Sequence, residues 1–109
     1  MTDTRYQLRY LPLFFNDVTN VTSYITNELS NPQAATDLIN AIESAILKRL
    51  PNCESFELYK SKKDRKYPYY RIYVKNYIIY YVIIDDEGPN KIMEVRRLLF
   101  NRQDQENII

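Results

Sequence analysis

One stretch of the chain brings cations and aromatic rings close enough together to bind an anion. Five positive side chains fall within seven positions, and an alternating segment that carries seven of the eleven tyrosines follows them. The cations are Lys60, Lys62, Lys63, Arg65 and Lys66, and the alternating segment runs from Tyr67 to Ile84. A solvated loop and an anion-binding lip both account for such a run of charge, and the sequence leaves the two readings open.

The alternating segment predicts two antiparallel strands joined by a tight turn. Its residue types indicate strands from about Tyr69 to Lys75 and from about Tyr77 to Ile84. Asn76 lies between them, and Asn is one of the few residues other than Gly that tolerates positive φ in a two-residue turn. Successive side chains on a strand point to opposite faces. One face of the first strand should therefore present Tyr69, Arg71, Tyr73 and Lys75.

Composition excludes several other kinds of chemistry. The chain has 109 residues, no His, a single Cys and a formal net charge of +1. We expect one domain over residues 1–109, no metal site, no cofactor and no disulfide within the chain. No apolar run reaches the length of about 18 residues needed to cross a bilayer, and the start lacks the apolar core of a signal peptide, so a cytoplasmic location is expected. The acidic segment 85–87 precedes the only Gly and indicates a solvated loop tip.

The elements that must hold the cationic face are predicted from periodicity and from prolines. A strand is expected over Thr4 to Leu11, and Pro12 then opens a helix. Asn31 is suited to cap a second helix, which Pro51 ends. So short a link between the two helices predicts an antiparallel helical hairpin.

A last strand is expected over Lys91 to Phe100, with a bulge or an exposed apolar residue where Arg97 and Leu98 break the alternation. A strand, two helices and then three strands indicate an α+β fold. We expect a three- to four-stranded, mainly antiparallel sheet with the helical hairpin on one face and an open, concave second face.

Four stretches in this order resemble toxins of the RelE/ParE superfamily of type II toxin–antitoxin systems. They are RYLPLFFNDVTNVTSYITNEL, NPQAATDLINAIESAIL, YYRIYVKNYIIYYVI and EVRRLLFNRQD. The resemblance implies the fold just described and a role in plasmid stabilisation or growth inhibition. It also implies a cognate antitoxin, encoded next to the toxin, that covers the cationic face and could form a heterotetramer with it.

Three groups of site residues are expected. Arg71, Lys75 and Arg102 are the candidate catalytic cations, which would hold a scissile phosphate and offset the charge that grows on it. The residues expected to bind the target or a nucleic acid are Lys60, Lys62, Lys63, Arg65, Lys66, Tyr69, Tyr73 and Arg96. Ile78, Val82 and Leu98 are expected to be exposed and to bind the antitoxin.

The expected activity is ribosome-dependent cleavage of messenger RNA, the more frequent activity in the superfamily. The second possibility is an inhibitor of DNA gyrase without catalytic activity, and the third is a degenerate module that only binds the antitoxin. Two positions that are often basic in the ribonucleases hold Ile78 and Gln103 in this chain. The fold alone does not decide among these activities.

Overall fold

A helical hairpin separates the first strand from the other three in the sequence. The computed structural model describes residues 6–60, 63–103 and 105–109. The elements are β1 (Tyr6–Tyr10), α1 (Pro12–Ser23), α2 (Pro32–Arg49), β2 (Tyr70–Val74), β3 (Tyr77–Ile84), β4 (Lys91–Phe100) and the short α3 (Gln105–Ile108). A π-helical turn, Tyr24–Glu28, extends α1, and a 3-10 turn, Leu50–Asn52, follows α2.

The strands form one sheet in the order β1-β4-β3-β2. The two hairpin-linked pairs, β2 with β3 and β3 with β4, are antiparallel. β1 pairs in parallel with β4, because the chain crosses over through the two helices before it returns to the sheet. The predicted α+β class and the mainly antiparallel sheet are confirmed.

The residues expected to begin the two helices do so. Pro12 stands in the first turn of α1, where a missing backbone N–H breaks no helical bond. The Asn31 side chain caps α2 by accepting the Ala34 N–H at 3.1 Å. α2 ends at Arg49, but Pro51 lies within the 3-10 turn that follows, and Leu50 before it keeps helical backbone angles.

The helices cover one face of the sheet with a continuous apolar core. From the helices come Phe14, Ile25, Ala35, Leu38, Ile42 and Ile46. From the strands come Ile72, Val74, Ile79, Tyr81, Met93, Val95 and Leu98. Two tyrosines on neighbouring strands, Tyr70 and Tyr81, stack at its edge with ring centroids 5.1 Å apart. This core fixes the helical hairpin and leaves the second face of the sheet to carry the candidate site.

The second face is covered in large part by the chain itself. Ile78 and Val82 are 3 % and 0 % exposed, so the expectation that they are exposed and available to an antitoxin is wrong. They belong to a second apolar cluster with Tyr69, Tyr80, Ile84, Ile92 and Leu99, against which Tyr59, Tyr67 and Ile109 pack. The segment that precedes β2 and the end of the chain thus shield apolar surface from water.

Leu98 is buried on the opposite, helical face, so its predicted exposure is also wrong. The cause is the expected bulge. Tyr80 pairs with Arg97 whereas Tyr81 pairs with Val95, which leaves Arg96 as an extra residue in β4. One extra residue reverses the alternation beyond it and turns Leu98 towards the helices.

The turn between β2 and β3 differs from the prediction in one residue. Lys75, not Asn76, has positive φ, at 53°. Asn76 instead accepts the Asn101 N–H through its carbonyl oxygen at 2.8 Å, which fixes the turn to the end of β4. A side chain in this region of φ is strained, so Lys75 is held there by its neighbours.

Candidate functional site

Three tyrosines form the centre of the candidate site on the second face. The ring of Tyr80 contacts those of Tyr59 and Tyr69, with centroid distances of 5.7 and 5.5 Å and nearly perpendicular planes. We call these three residues the tyrosine cluster. The Tyr59 N–H donates to the Tyr69 carbonyl oxygen at 2.7 Å, and Leu58 forms a bridge with Tyr70. These contacts fasten the segment that precedes β2 across the sheet.

Arg71 extends from β2 beside the tyrosine cluster. Its guanidinium lies 4.6 Å from the centroid of the Tyr59 ring and 5.5 Å from that of Tyr73. Within the described residues it has no carboxylate partner. Burial raises the pKa of Tyr80 to about 12, while the nearby charge of Arg71 acts in the opposite direction. Arg71 is therefore a cation that contacts two aromatic rings. Such cation–π contacts are favourable where solvent is partly excluded.

Arg65 holds a similar position on the other side of the tyrosine cluster. Its guanidinium lies 4.8 Å from the centroid of the Tyr69 ring. Its Nε and Nη2 atoms are buried and have no hydrogen-bond partner in the described part of the chain. Arg65 also borders a cavity of about 390 Å³ together with Lys60 and Lys63. The predicted cationic and aromatic surface is thus present around Arg65 and Arg71.

The three candidate catalytic cations do not lie together. Lys75 borders a cavity with Ile25, Leu29 and Asp37 on the helical side of the sheet, not on the face of Arg71. It also lies in the turn that follows β2, four residues further along the chain than Arg71. Arg102 follows the end of β4 and is exposed. Since Phe100 pairs with Tyr77, Arg102 lies at the end of the sheet that holds the turn.

Arg96 is engaged by a buried carboxylate. Glu94, only 3 % exposed, accepts bonds from Arg96 Nε at 2.8 Å and from Arg9 Nε at 2.7 Å. The Arg96 guanidinium also lies 5.9 Å from the centroid of the Tyr67 ring. Paired this way, Arg96 belongs to an ion-pair network at the β1 side of the face, two strands away from Arg71.

The remaining predicted target-binding residues are mostly at the surface. Lys60, Lys63 and Lys66 are exposed, and Tyr73 is the most exposed of the large apolar and aromatic residues, at 61 %. Lys66 forms an ion pair with Asp86 at 3.2 Å. Tyr67 donates to the same carboxylate at 2.7 Å, and these two contacts lower the pKa of Asp86. Tyr69 is buried, and Lys62 lies outside the described residues.

Several residues that shape the site carry little signal in the sequence. Tyr59 lies in a segment without periodicity, and Arg49 is one of two cations at the end of α2. In the structure Arg49 donates to the carbonyl oxygen of Arg71 at 3.2 Å and to the hydroxyl of Tyr81 at 3.0 Å, and its guanidinium lies 3.5 Å from the centroid of the Phe56 ring. Arg9 and Glu94 do alternate with apolar residues on their strands, which indicates the face they occupy but not their pairing.

Fold and site together define a class of protein. A leading strand, a helical hairpin and an antiparallel sheet whose second face carries cations among tyrosines are the features that the RelE/ParE superfamily of type II toxins would show. The family model described as "ParE toxin of type II toxin-antitoxin system, parDE" matches residues 8–105. The chain belongs to this family, which implies a cognate antitoxin as its partner.

No curated protein matches the chain. Within the described residues, no helix is both long and apolar enough to cross a membrane. In the same part of the chain, no group of three or more His, Cys, Asp or Glu side chains could hold a metal ion.

Proposed function

We propose that the chain is a toxin that arrests growth by binding its target and that carries out no chemistry of its own. DNA gyrase is the target that the resemblance to the superfamily implies for a toxin of this kind. The contact residues proposed for it are the exposed cations Lys60, Lys63 and Lys66, together with Arg71 and Tyr73. In such a protein the aromatic and cationic surface supplies affinity and orientation only.

The separation of the candidate catalytic residues is the observation that carries this proposal. Cleavage of a phosphodiester needs cations around one phosphate and a group that takes the proton of the 2′-hydroxyl. Arg71 lies on the second face, Lys75 borders the helical side, and Arg102 lies past the end of β4. The chain has no His to act as the base, and burial raises the pKa of Tyr80 to about 12, which makes that hydroxyl a poor base near neutral pH.

One observation favours the second candidate, the ribosome-dependent ribonuclease. Tyr73 is 61 % exposed, and its ring lies 5.5 Å from the Arg71 guanidinium. A base stacked on this ring, worth about 1–3 kcal/mol, would bring its phosphate near a cation. A toxin that cuts RNA would therefore depend on Arg71 and Tyr73 alone, without help from Lys75 or Arg102.

Both candidates are tested by one induction experiment. The wild-type chain and the Arg71→Ala variant are expressed without antitoxin, and growth, transcript integrity and chromosomal breaks are followed in the same cultures. Lys48→Ala is the matched control, because it removes an exposed cation from the far side of the molecule. The proposal expects arrest with broken DNA and intact transcripts. Arrest with cut transcripts and intact DNA, lost in Arg71→Ala but kept in Lys48→Ala, would establish the ribonuclease instead.

A further inference from the structure

The sheet has two edges, and the described residues cover only one of them. At the β2 edge, Leu58 forms a bridge with Tyr70, and Arg49 donates to the carbonyl oxygen of Arg71 at 3.2 Å. The opposite edge is β1, whose only described strand partner is β4. An uncovered edge strand presents unpaired N–H and C=O groups that another strand can join. The β1 edge is therefore the place where this sheet can be extended.

The backbone groups that β1 turns outward belong to alternate residues. The Leu11 N–H donates to the Val95 carbonyl oxygen at 3.0 Å, so the backbone of Leu11 faces β4. Because bonding alternates along a strand, the N–H and C=O groups of Tyr6, Leu8 and Tyr10 lie on the outer side. No described residue bonds to these outward groups. The outer side of β1 thus carries donors and acceptors in a row, ready for a strand partner.

The outer side of β1 is complementary to itself. If a second β1 runs antiparallel to the first with Leu8 at the two-fold axis, Tyr6 of one copy lies opposite Tyr10 of the other. In this register every outward donor meets an acceptor, since all the outward residues fall in hydrogen-bonded pairs. The facing side chains are apolar or aromatic and half-buried on the helical face, and such cross-strand pairs stabilise a sheet. The two-fold rotation keeps both helical layers on the same side of the joined sheet.

The charges on β1 are compatible with this pairing. On the second face Gln7 of one copy lies opposite Arg9 of the other, so no like charges face each other. A charged side chain is a common protection of an edge strand. Here the Arg9 guanidinium bonds to Glu94 at 2.7 Å and forms an ion pair with Glu87 at 3.4 Å. These two carboxylates offset its charge, so it does not repel a second copy.

Apolar residues directly after β1 extend the surface. Leu13 and Phe15, in the first turn of α1, are 46 % and 54 % exposed. The Phe15 ring contacts that of Tyr10, with 5.2 Å between centroids. Two short strands alone bury less than the roughly 800 Å² per partner of a standard interface. Leu13 and Phe15 supply part of the difference, and an interface of this size corresponds to a Kd on the order of micromolar.

We propose that the β1 edge joins that of a second copy, so that the toxin free of antitoxin forms a symmetric dimer with one continuous sheet. The proposal rests on the open edge and its self-complementary register. It does not depend on which target the toxin binds, so either can fail while the other holds.

Sedimentation equilibrium of the purified chain from about 1 to 500 µM tests the proposal. Gln7→Glu and Gln7→Arg are matched variants, because the Gln7 side chain is exposed and either change leaves the core intact. Gln7→Glu places a carboxylate opposite Arg9 of the second copy and should tighten the dimer by roughly two- to thirtyfold, since the contact occurs twice. Gln7→Arg places like charges there and should weaken the dimer by a similar factor. Lys48→Gln, on the β2 side of the molecule, should leave the Kd within about twofold.

Hydrogen exchange and cross-linking test the register. The amides of Tyr6, Leu8 and Tyr10 should gain protection as the protein concentration rises. Leu8→Cys should form an interchain disulfide on mild oxidation, because bonded partners across antiparallel strands have Cα atoms about 5.5 Å apart. Ser44→Cys, on the exposed surface of α2, is the control and should not form one.

Three results would overturn the proposal. The first is a monomer over the whole concentration range. The second is a dimer with the same Kd for Gln7→Glu and Gln7→Arg, which would place the contact on another surface. The third is protection of the outward β1 amides only after antitoxin is added, which would assign this edge to the antitoxin.

Discussion

Asp17 on α1 accepts hydrogen bonds from the part of β4 that lies beyond the end of β1. Removing its carboxylate should therefore destabilise the fold strongly. β1 pairs with β4 only as far as Val95. Beyond that point the Asp17 carboxylate accepts the backbone N–H of Leu98 at 3.0 Å and two bonds from Arg97, at 2.7 and 3.0 Å. Asp17→Ala would leave a largely buried guanidinium and a buried N–H without partners. Breaking a buried pair in this way costs about 3–5 kcal/mol.

This magnitude is large relative to the stability of a small domain, which is about 5–15 kcal/mol. A loss of that size should lower the Tm by roughly 12 °C or more. Urea unfolding followed by far-UV circular dichroism measures the free energy directly. Asp17→Asn should fall between wild type and Asp17→Ala, because its amide oxygen can still accept the Leu98 N–H. The double variant Asp17→Leu with Arg97→Met should be more stable than Asp17→Ala, since no charge is left unpaired. A cost below about 1 kcal/mol for Asp17→Ala would be typical of a surface ion pair and would contradict the predicted loss of stability.

Three further predictions concern single sites. Bonds from Lys91 and then Tyr6 lower the pKa of Glu54, so its contribution to stability should be present above the unfolded pKa of about 4.3 and be lost as the pH falls through the folded pKa. Glu54→Gln should therefore narrow the difference in urea midpoint between pH 7 and pH 3, and an unchanged difference would contradict this. Burial raises the pKa of the Cys53 thiol to about 11, so a thiol reagent at pH 8 should react with it only after unfolding; fast reaction in the native protein would show that the site opens. Lys75→Gly should stabilise the protein by up to about 1 kcal/mol in urea unfolding, because Gly adopts the positive φ of 53° without strain. A loss of stability would mean that contacts of the Lys75 side chain stabilise the fold by more than this strain costs.

The sequence predicts those parts of the fold that depend on neighbouring residues. Pro12 and Asn31 act through local backbone geometry and local hydrogen bonds, so the starts of both helices could be predicted. Alternation on β3 and β4 was enough to predict an antiparallel sheet and to place Met93 and Val95 in the core.

The rest of the site depends on contacts between residues far apart in the chain. Ile78 and Val82 are buried because Tyr59, Tyr67 and Ile109 reach across the sheet, and no periodicity in those segments indicates it. The face on which Leu98 lies depends on which residue of β4 bulges, and the sequence leaves open both the bulge and its position.

The charged pairs of the site also depend on contacts between residues far apart in the chain. The carboxylate of Glu94 is separated by 85 residues from Arg9, and that of Asp17 by 80 from Arg97. Residue types alone give no reason to pair these groups before the strand order is known. The catalytic role expected for Arg71, Lys75 and Arg102 requires one shared site, which their positions in the fold do not support.

The proposed function is binding of DNA gyrase without cleavage of RNA. A supercoiling assay with purified gyrase, relaxed plasmid and the purified chain tests it most directly, run beside a cell-free translation reaction that contains a labelled messenger RNA. If the chain is such an inhibitor, supercoiling should be inhibited while the messenger RNA stays intact. Normal supercoiling together with a messenger RNA cut in the translation reaction would contradict it.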